Sequence, residues 1–127
     1  MRQDEHRLQV ALVNWFGYEY PKLKHLLIAI PNGGKRHIKT ARKLKAEGAK
    51  SGVPDLFLAV VHRGYYGGLW VEMKVKPNKP SPNQKAYLKA LCEEDYAVAV
   101  CYSFDEFEKT INDYLEYNHT NDPKLTL

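Results

Sequence analysis

Leu69-Trp70-Val71-Glu72-Met73-Lys74-Val75-Lys76 decides the fold. Leu69, Val71, Met73 and Val75 alternate with Trp70, Glu72, Lys74 and Lys76, and a period of two marks a β-strand rather than a helix. The apolar set points into a core, so Glu72 and Lys74 share the opposite face. Upstream, Leu56 to Val61 reads as a strand, joined to this one by the glycine-rich hairpin His62-Arg63-Gly64-Tyr65-Tyr66-Gly67-Gly68. Downstream, Ser81-Pro82-Asn83-Gln84 signals a helix start. Ser81 is the N-cap, Pro82 takes the first helical position, and Gln84 closes a capping box. Tyr87, Leu88 and Leu91 stripe that helix, and Ala97 to Tyr102 is an apolar strand of buried type. The path between the last two strands is long enough for a right-handed parallel crossover.

Further out, Asp4 or a neighbour caps a first helix with Leu8, Leu12, Trp15 and Phe16 on one stripe and Gly17 as its stop. Glu5 lies three residues before Leu8, on that same stripe. Leu26 to Ile30 reads as a strand ended by Pro31-Asn32-Gly33-Gly34. Ile38, Ala41 and Leu44 or Lys45 suggest a short basic helix that stops near Gly48. Ser103 and Glu106 make a second capping box, and Phe107, Ile111, Tyr114 and Leu115 stripe the last helix. The expected fold class is α/β: one domain over residues 1–118, with a mixed four-stranded sheet flanked by helices, and a frayed tail over 119–127.

The chain has 127 residues and 14.7 kDa, with 44% hydrophobic and 27% charged residues. Those values set aside wholesale disorder and a fibrous repeat. No apolar run approaches a membrane span, and Met1-Arg2-Gln3-Asp4-Glu5-His6 lacks the apolar block of a signal peptide. A cytoplasmic protein of a bacterial or phage-infected cell, without a membrane partner, is expected. Cys92 and Cys101 lack zinc-site spacing and are read as reduced and buried. The five histidines show no metal spacing and are expected mostly at the surface. Charge is polarised: from Lys35 to Lys50 seven basic residues stand against Glu47 alone, whereas Ser103 to Asn118 is acidic. A basic face of this kind suits phosphate, although a solvated helix face would carry the same residues.

Asp55 follows Pro54 at the start of the Leu56 strand, and the hairpin brings it back beside Glu72 and Lys74. Two carboxylates and a lysine in one cleft suit a hard divalent cation, Mg²⁺ or Mn²⁺. The bland alternative is a salt bridge between Lys74 and an acid. Gly33-Gly34-Lys35 lacks the following Ser or Thr of a nucleotide-binding P-loop, because Arg36 stands there. A tight turn feeding a basic helix better suits backbone contact with nucleic-acid phosphates.

Pro54-Asp55 followed by Glu72-Met73-Lys74 resembles the PD-(D/E)XK nuclease signature. More narrowly, Asn32-Gly33-Gly34, Gly52-Val53-Pro54-Asp55-Leu56, Glu72-Met73-Lys74 and Ser81-Pro82-Asn83-Gln84 together resemble the virus-type replication-repair nuclease (VRR-NUC) domain, over roughly residues 5–105. The resemblance implies the nuclease core fold. It implies Asp55, Glu72, the Met73 carbonyl and Glu5 as metal ligands, and Asp55, Glu72, Lys74 and Gln84 as catalytic residues. Tyr87 completes the glutamine-helix motif, and Asn32, Gly33, Gly34, Lys35, Arg36, Lys39, Arg42, Lys43 and Tyr87 are the expected DNA contacts. Stand-alone members of the family look like homodimeric junction resolvases. The expected function is therefore a metal-dependent endonuclease acting on structured or branched DNA. The alternatives are a less specific nuclease, a nuclease subunit of a larger repair or restriction assembly, an RNA-processing nuclease, and a non-catalytic nucleic-acid binding module.

Overall fold

The chain enters as a helix, α1 (Gln3–Glu19), because Leu8, Leu12, Trp15 and Phe16 recur at helical spacing. This computed structural model describes residues 3–31, 38–62 and 65–120. Gly17 does not end the helix as expected. A single glycine costs a helix only about 1 kcal/mol, and Lys24 packs its aliphatic stem where a side chain at Gly17 would stand. A 3₁₀ turn (Lys24–Leu26) takes up the beginning of the expected first strand, so β1 is Leu27–Ala29. After α2 (Ile38–Ala46) come β2 (Leu56–Leu58), β3 (Leu69–Met73), α3 (Pro82–Glu93), β4 (Ala97–Cys101) and α4 (Phe104–Thr120).

The four strands form one sheet in the order β1-β2-β3-β4. β1 and β2, and β2 and β3, pair antiparallel, and β3 and β4 pair parallel. The mixed α/β sheet inferred from the sequence is therefore the one observed. One face is dry. Leu12 and Phe16 of α1 and Phe107, Ile111 and Leu115 of α4 bury against Leu56, Leu58, Leu69 and Val71. Side chains alternate along a strand, so Trp70 and Glu72 fall on the second face. There Phe57 stacks on Trp70 and Tyr96 meets both edge-on. α3 flanks this second face, since Gln84 reaches Glu72.

Both capping signals are used, but differently. At α3 the box closes in both directions. At α4, Ser103 Oγ accepts from Glu106 N, yet the Glu106 carboxylate accepts from Tyr102 N rather than Ser103 N, so only half of the expected box forms. One burial expectation is also corrected, and one histidine departs from the exposed His6 and His25. Cys92 is exposed, one position past the buried Leu91 on α3, while Cys101 is buried beside Thr110. His62 is buried, with its ring among those of Tyr65, Tyr66 and Tyr114, where desolvation holds its pKa below the ordinary value. α4 continues to Thr120, and residues 121–127 lie outside the described residues. Among the described residues, no helix is long and apolar enough to cross a membrane.

Candidate active site

The register of the hairpin builds the site. Leu56 pairs with Val71, so Asp55, one residue before β2, comes opposite Glu72. Asp55 is fixed there by its Oδ2, which accepts from Met73 N at 2.8 Å. Glu72 is only 2% exposed. Its Oε2 accepts from Gln84 Nε2 at 3.2 Å and lies 3.4 Å from Lys74 Nζ. Its Oε1 is buried without a hydrogen-bond partner.

An ionised carboxylate so deeply buried is costly unless compensated. Burial pushes the Glu72 pKa up to about 7, and the neighbouring Asp55 charge pushes the same way, against a smaller opposing pull from Lys74. The folded state holds a proton that the unfolded chain releases near its ordinary carboxylate pKa of 4.5. Stability contributed by this group is present below pH 4.5 and is lost as pH rises through about 7. In EDTA at pH 8, Glu72→Gln therefore raises the melting temperature by several degrees, on the order of 2 kcal/mol. The gain shrinks towards pH 5. Equal melting curves for the two proteins at pH 8 would contradict the burial of a charged Glu72.

These groups line a cleft of about 190 Å³ that also receives Glu5, Leu8 and Gln9 from α1, and Val75 and Asn78 from the turn after β3. The donor set fits a hard divalent cation. The pair offers carboxylate oxygens, one of them buried and unpartnered, where a cation would offset both desolvation and mutual repulsion. Glu5 lines the cleft, half-buried, but no three His, Cys, Asp or Glu side chains among the described residues cluster to hold one ion.

Of the residues singled out from sequence, Glu5, Asp55, Glu72, Met73, Lys74 and Gln84 come together in this cleft. Tyr87 is half-buried one turn beyond Gln84 and does not line it. Arg42 and Lys43 are exposed on α2. Asn32, Gly33, Gly34, Lys35, Arg36 and the Lys39 side chain lie outside the described residues. Gln9 and Asn78 were not anticipated. Gln9 was legible, since it stands four residues after Glu5 on the same helix face. Asn78 was not, because only the turn that bonds its N–H to the Val75 carbonyl carries it to the cleft.

A model of the VRR-NUC domain family matches residues 1–105. The fold is similar to a solved structure described as a VRR_NUC domain protein, with a TM-score of 0.77 and 27% sequence identity over 92% of each chain. No curated protein matches the chain. With the family match covering most of the sequence and a neighbour sharing the fold nearly end to end, the chain belongs to the VRR-NUC family, a nuclease-type domain.

Proposed function

We propose that this protein is a metal-dependent endonuclease that hydrolyses phosphodiester bonds in structured or branched DNA. One observation carries the reading: Asp55 and Glu72 face each other beside Lys74, with Glu72 Oε1 buried and unpartnered. A salt bridge alone would explain Lys74 and one acid. It does not explain a second acid held against the first, with a Met73 N–H spent on fixing it.

Asp55, Glu72 and the Met73 carbonyl would hold the cation. When bound, Mg²⁺ or Mn²⁺ supplies positive charge that polarises a phosphoryl oxygen and acidifies water. Lys74 Nζ, 19% exposed at the side chain and anchored on Glu72 Oε2, reaches the cleft. There it orients the attacking water or offsets charge developing on the phosphoryl oxygens, and it would take a proton from the water only after giving its own to the Glu72 carboxylate. Gln84 steadies Glu72 through Nε2. Arg42 and Lys43 on α2 offer charge to the DNA backbone. A domain this small has little surface for reading bases, which favours recognition of DNA shape.

The test is the purified protein with Mg²⁺ or Mn²⁺ against linear, flap, Y-shaped and four-way DNA, and matched RNA. Cation-dependent cutting of the branched DNA, lost in EDTA, is expected. Preferential RNA cutting would make it an RNA-processing nuclease. Binding without cutting under either cation would make it a binding module.

Paired cuts at a four-way junction need two sites, and a two-fold homodimer supplies them. Tyr65 and Tyr66 at the hairpin loop are exposed beside the exposed Val61 and offer aromatic anchors for such an interface. Light scattering at micromolar concentration should report about twice the chain mass. Mixing wild type with Lys74→Ala should yield heterodimers that nick without resolving. A monomer that makes paired cuts, with no dimer on DNA, would overturn the dimer and favour a less specific nuclease.

A further inference from the structure

The first turn of α3 touches the approach to both carboxylates. Gln84 is engaged at both ends of its amide: Oε1 accepts from Ser81 N at 2.9 Å, and Nε2 donates to Glu72 Oε2 at 3.2 Å. Ser81 Oγ accepts in return from Gln84 N at 3.2 Å. An amide whose oxygen is held by a backbone donor cannot rotate without breaking that bond, so the box presents Nε2, the donor, to Glu72. With Gln84 and Lys74 both on Oε2, the oxygen left without a partner is Oε1.

The same turn meets the segment that leads into Asp55. Gly52 has φ +84°, and a Cβ there would stand 2.7 Å from the Asn83 carbonyl oxygen and 3.2 Å from Gln84 N. Only glycine seats the backbone that closely in that conformation. Asn83 Nδ2 reaches Ser51 Oγ at 3.5 Å on the same contact.

We propose that the capping box of α3 is the device that positions the two carboxylates, with Ser81 and Gly52 as its positioning residues. Ser81 acts through the Gln84 amide on the orientation of Glu72. Gly52 acts by seating the chain three residues before Asp55 against the same turn. Gln84 therefore works through Glu72, since both polar ends of its side chain are already engaged. The activity arm of the test rests on the nuclease reading above; the other arms do not.

The experiment compares wild type with Ser81→Ala, Ser81→Thr, Gln84→Glu and Gly52→Ala, well below their melting temperatures. The readouts are the side-chain amide resonances of Gln84 in ¹⁵N-labelled protein in EDTA, binding of Mn²⁺ alone, and single-turnover cleavage. The Gln84 resonances are identified by their loss in Gln84→Glu. Ser81→Ala keeps the backbone N–H that Gln84 Oε1 accepts from but removes the Oγ that accepts from Gln84 N, so the turn loosens. The resonances should shift, and Mn²⁺ binding and cleavage should weaken at least about tenfold. Ser81→Thr, which keeps the capping hydroxyl, should restore all three. Glu at the third position is as good a helix-capping partner as Gln. Gln84→Glu thus keeps the capping acceptor but sets a third carboxylate against the buried Glu72, so it should lose cleavage and lower the melting temperature at neutral pH.

A Ser81→Ala protein with lowered melting temperature but wild-type resonances, Mn²⁺ affinity and cleavage would overturn the proposal and leave the cap purely structural. If Ser81→Ala does not fold, Gln84→Glu and Gly52→Ala decide. Wild-type Mn²⁺ affinity in both would overturn it equally. If the wild type cleaves nothing with any cation, the nuclease reading fails, while the resonances and Mn²⁺ binding still settle the positioning.

Discussion

Glu72→Ala and Asp55→Ala should each lower cleavage of branched DNA by at least about 10³-fold, the scale set by removing a principal electrostatic group from a buried site. DNA affinity should stay the same or rise, because each change removes a negative charge that faces phosphate. The two variants differ in their side effects. Glu72→Ala removes a buried carboxylate that the fold already strains to ionise, so it should not lower the melting temperature steeply. Asp55→Ala also leaves the Met73 N–H without its acceptor, an added cost of about 1–3 kcal/mol. Asp55→Asn keeps an acceptor and should recover that stability without recovering activity. Quench-flow cleavage and thermal melts on the same preparations check both halves. Full cleavage by Glu72→Ala would rule out this site.

Neutralising Lys39, Arg42 and Lys43 together should weaken DNA binding whatever the sequence. Each phosphate contact contributes about 0.9 to the slope of log affinity against log salt on duplex DNA, so the slope should fall by roughly two to three if all three residues make contact. α2 is suited to this role by its place in the chain. Arg42 and Lys43 are exposed on it, and Asp55 follows nine residues after its last residue, Ala46. Fluorescence anisotropy across a salt series reads the slope directly. An unchanged slope would make α2 a solvated face and move the DNA elsewhere on the molecule.

How much of this was legible depended on how local the cause was. The strand carrying Glu72 and the box at Ser81 declare themselves within eight and four residues. The box stands as read, but the strand ends at Met73, so Lys74 and Val75 lie past it and Val75 lines the cleft rather than the core. The antiparallel β2–β3 pair followed from a short hairpin and the parallel β4 from one long crossover, whereas the place of β1 at the edge beside β2 was not legible. Strand lengths did not follow. Leu56 to Val61 is uniformly apolar, yet β2 stops at Leu58, and the Val60 carbonyl accepts from Tyr114 Oη, 54 residues away in sequence. No local pattern reports such a partner. The burial of His62 has the same origin, because Tyr114 closes over it from α4.

The site was legible as a constellation, not as a geometry. That Asp55, Glu72 and Lys74 meet was implied by the hairpin. That Glu72 would be almost wholly buried, with one oxygen held by Gln84 and Lys74 and the other by nothing, depends on how α3 lands on the sheet. Gln84 carried two readings from sequence, as a cap and as a site residue. In the structure one end of its amide meets Ser81 N and the other Glu72 Oε2.

The most direct measurement is single-turnover cleavage of a four-way DNA junction by wild type and Lys74→Ala, each stripped with EDTA and then titrated with Mg²⁺. Wild type should be inactive until the cation is restored and should then cut, whereas Lys74→Ala should bind the junction with similar affinity and remain at least about 10²-fold slower at saturating Mg²⁺. Cutting by the wild type in EDTA, or equal rates for the two proteins, would contradict a cation-dependent site built on Asp55, Glu72 and Lys74.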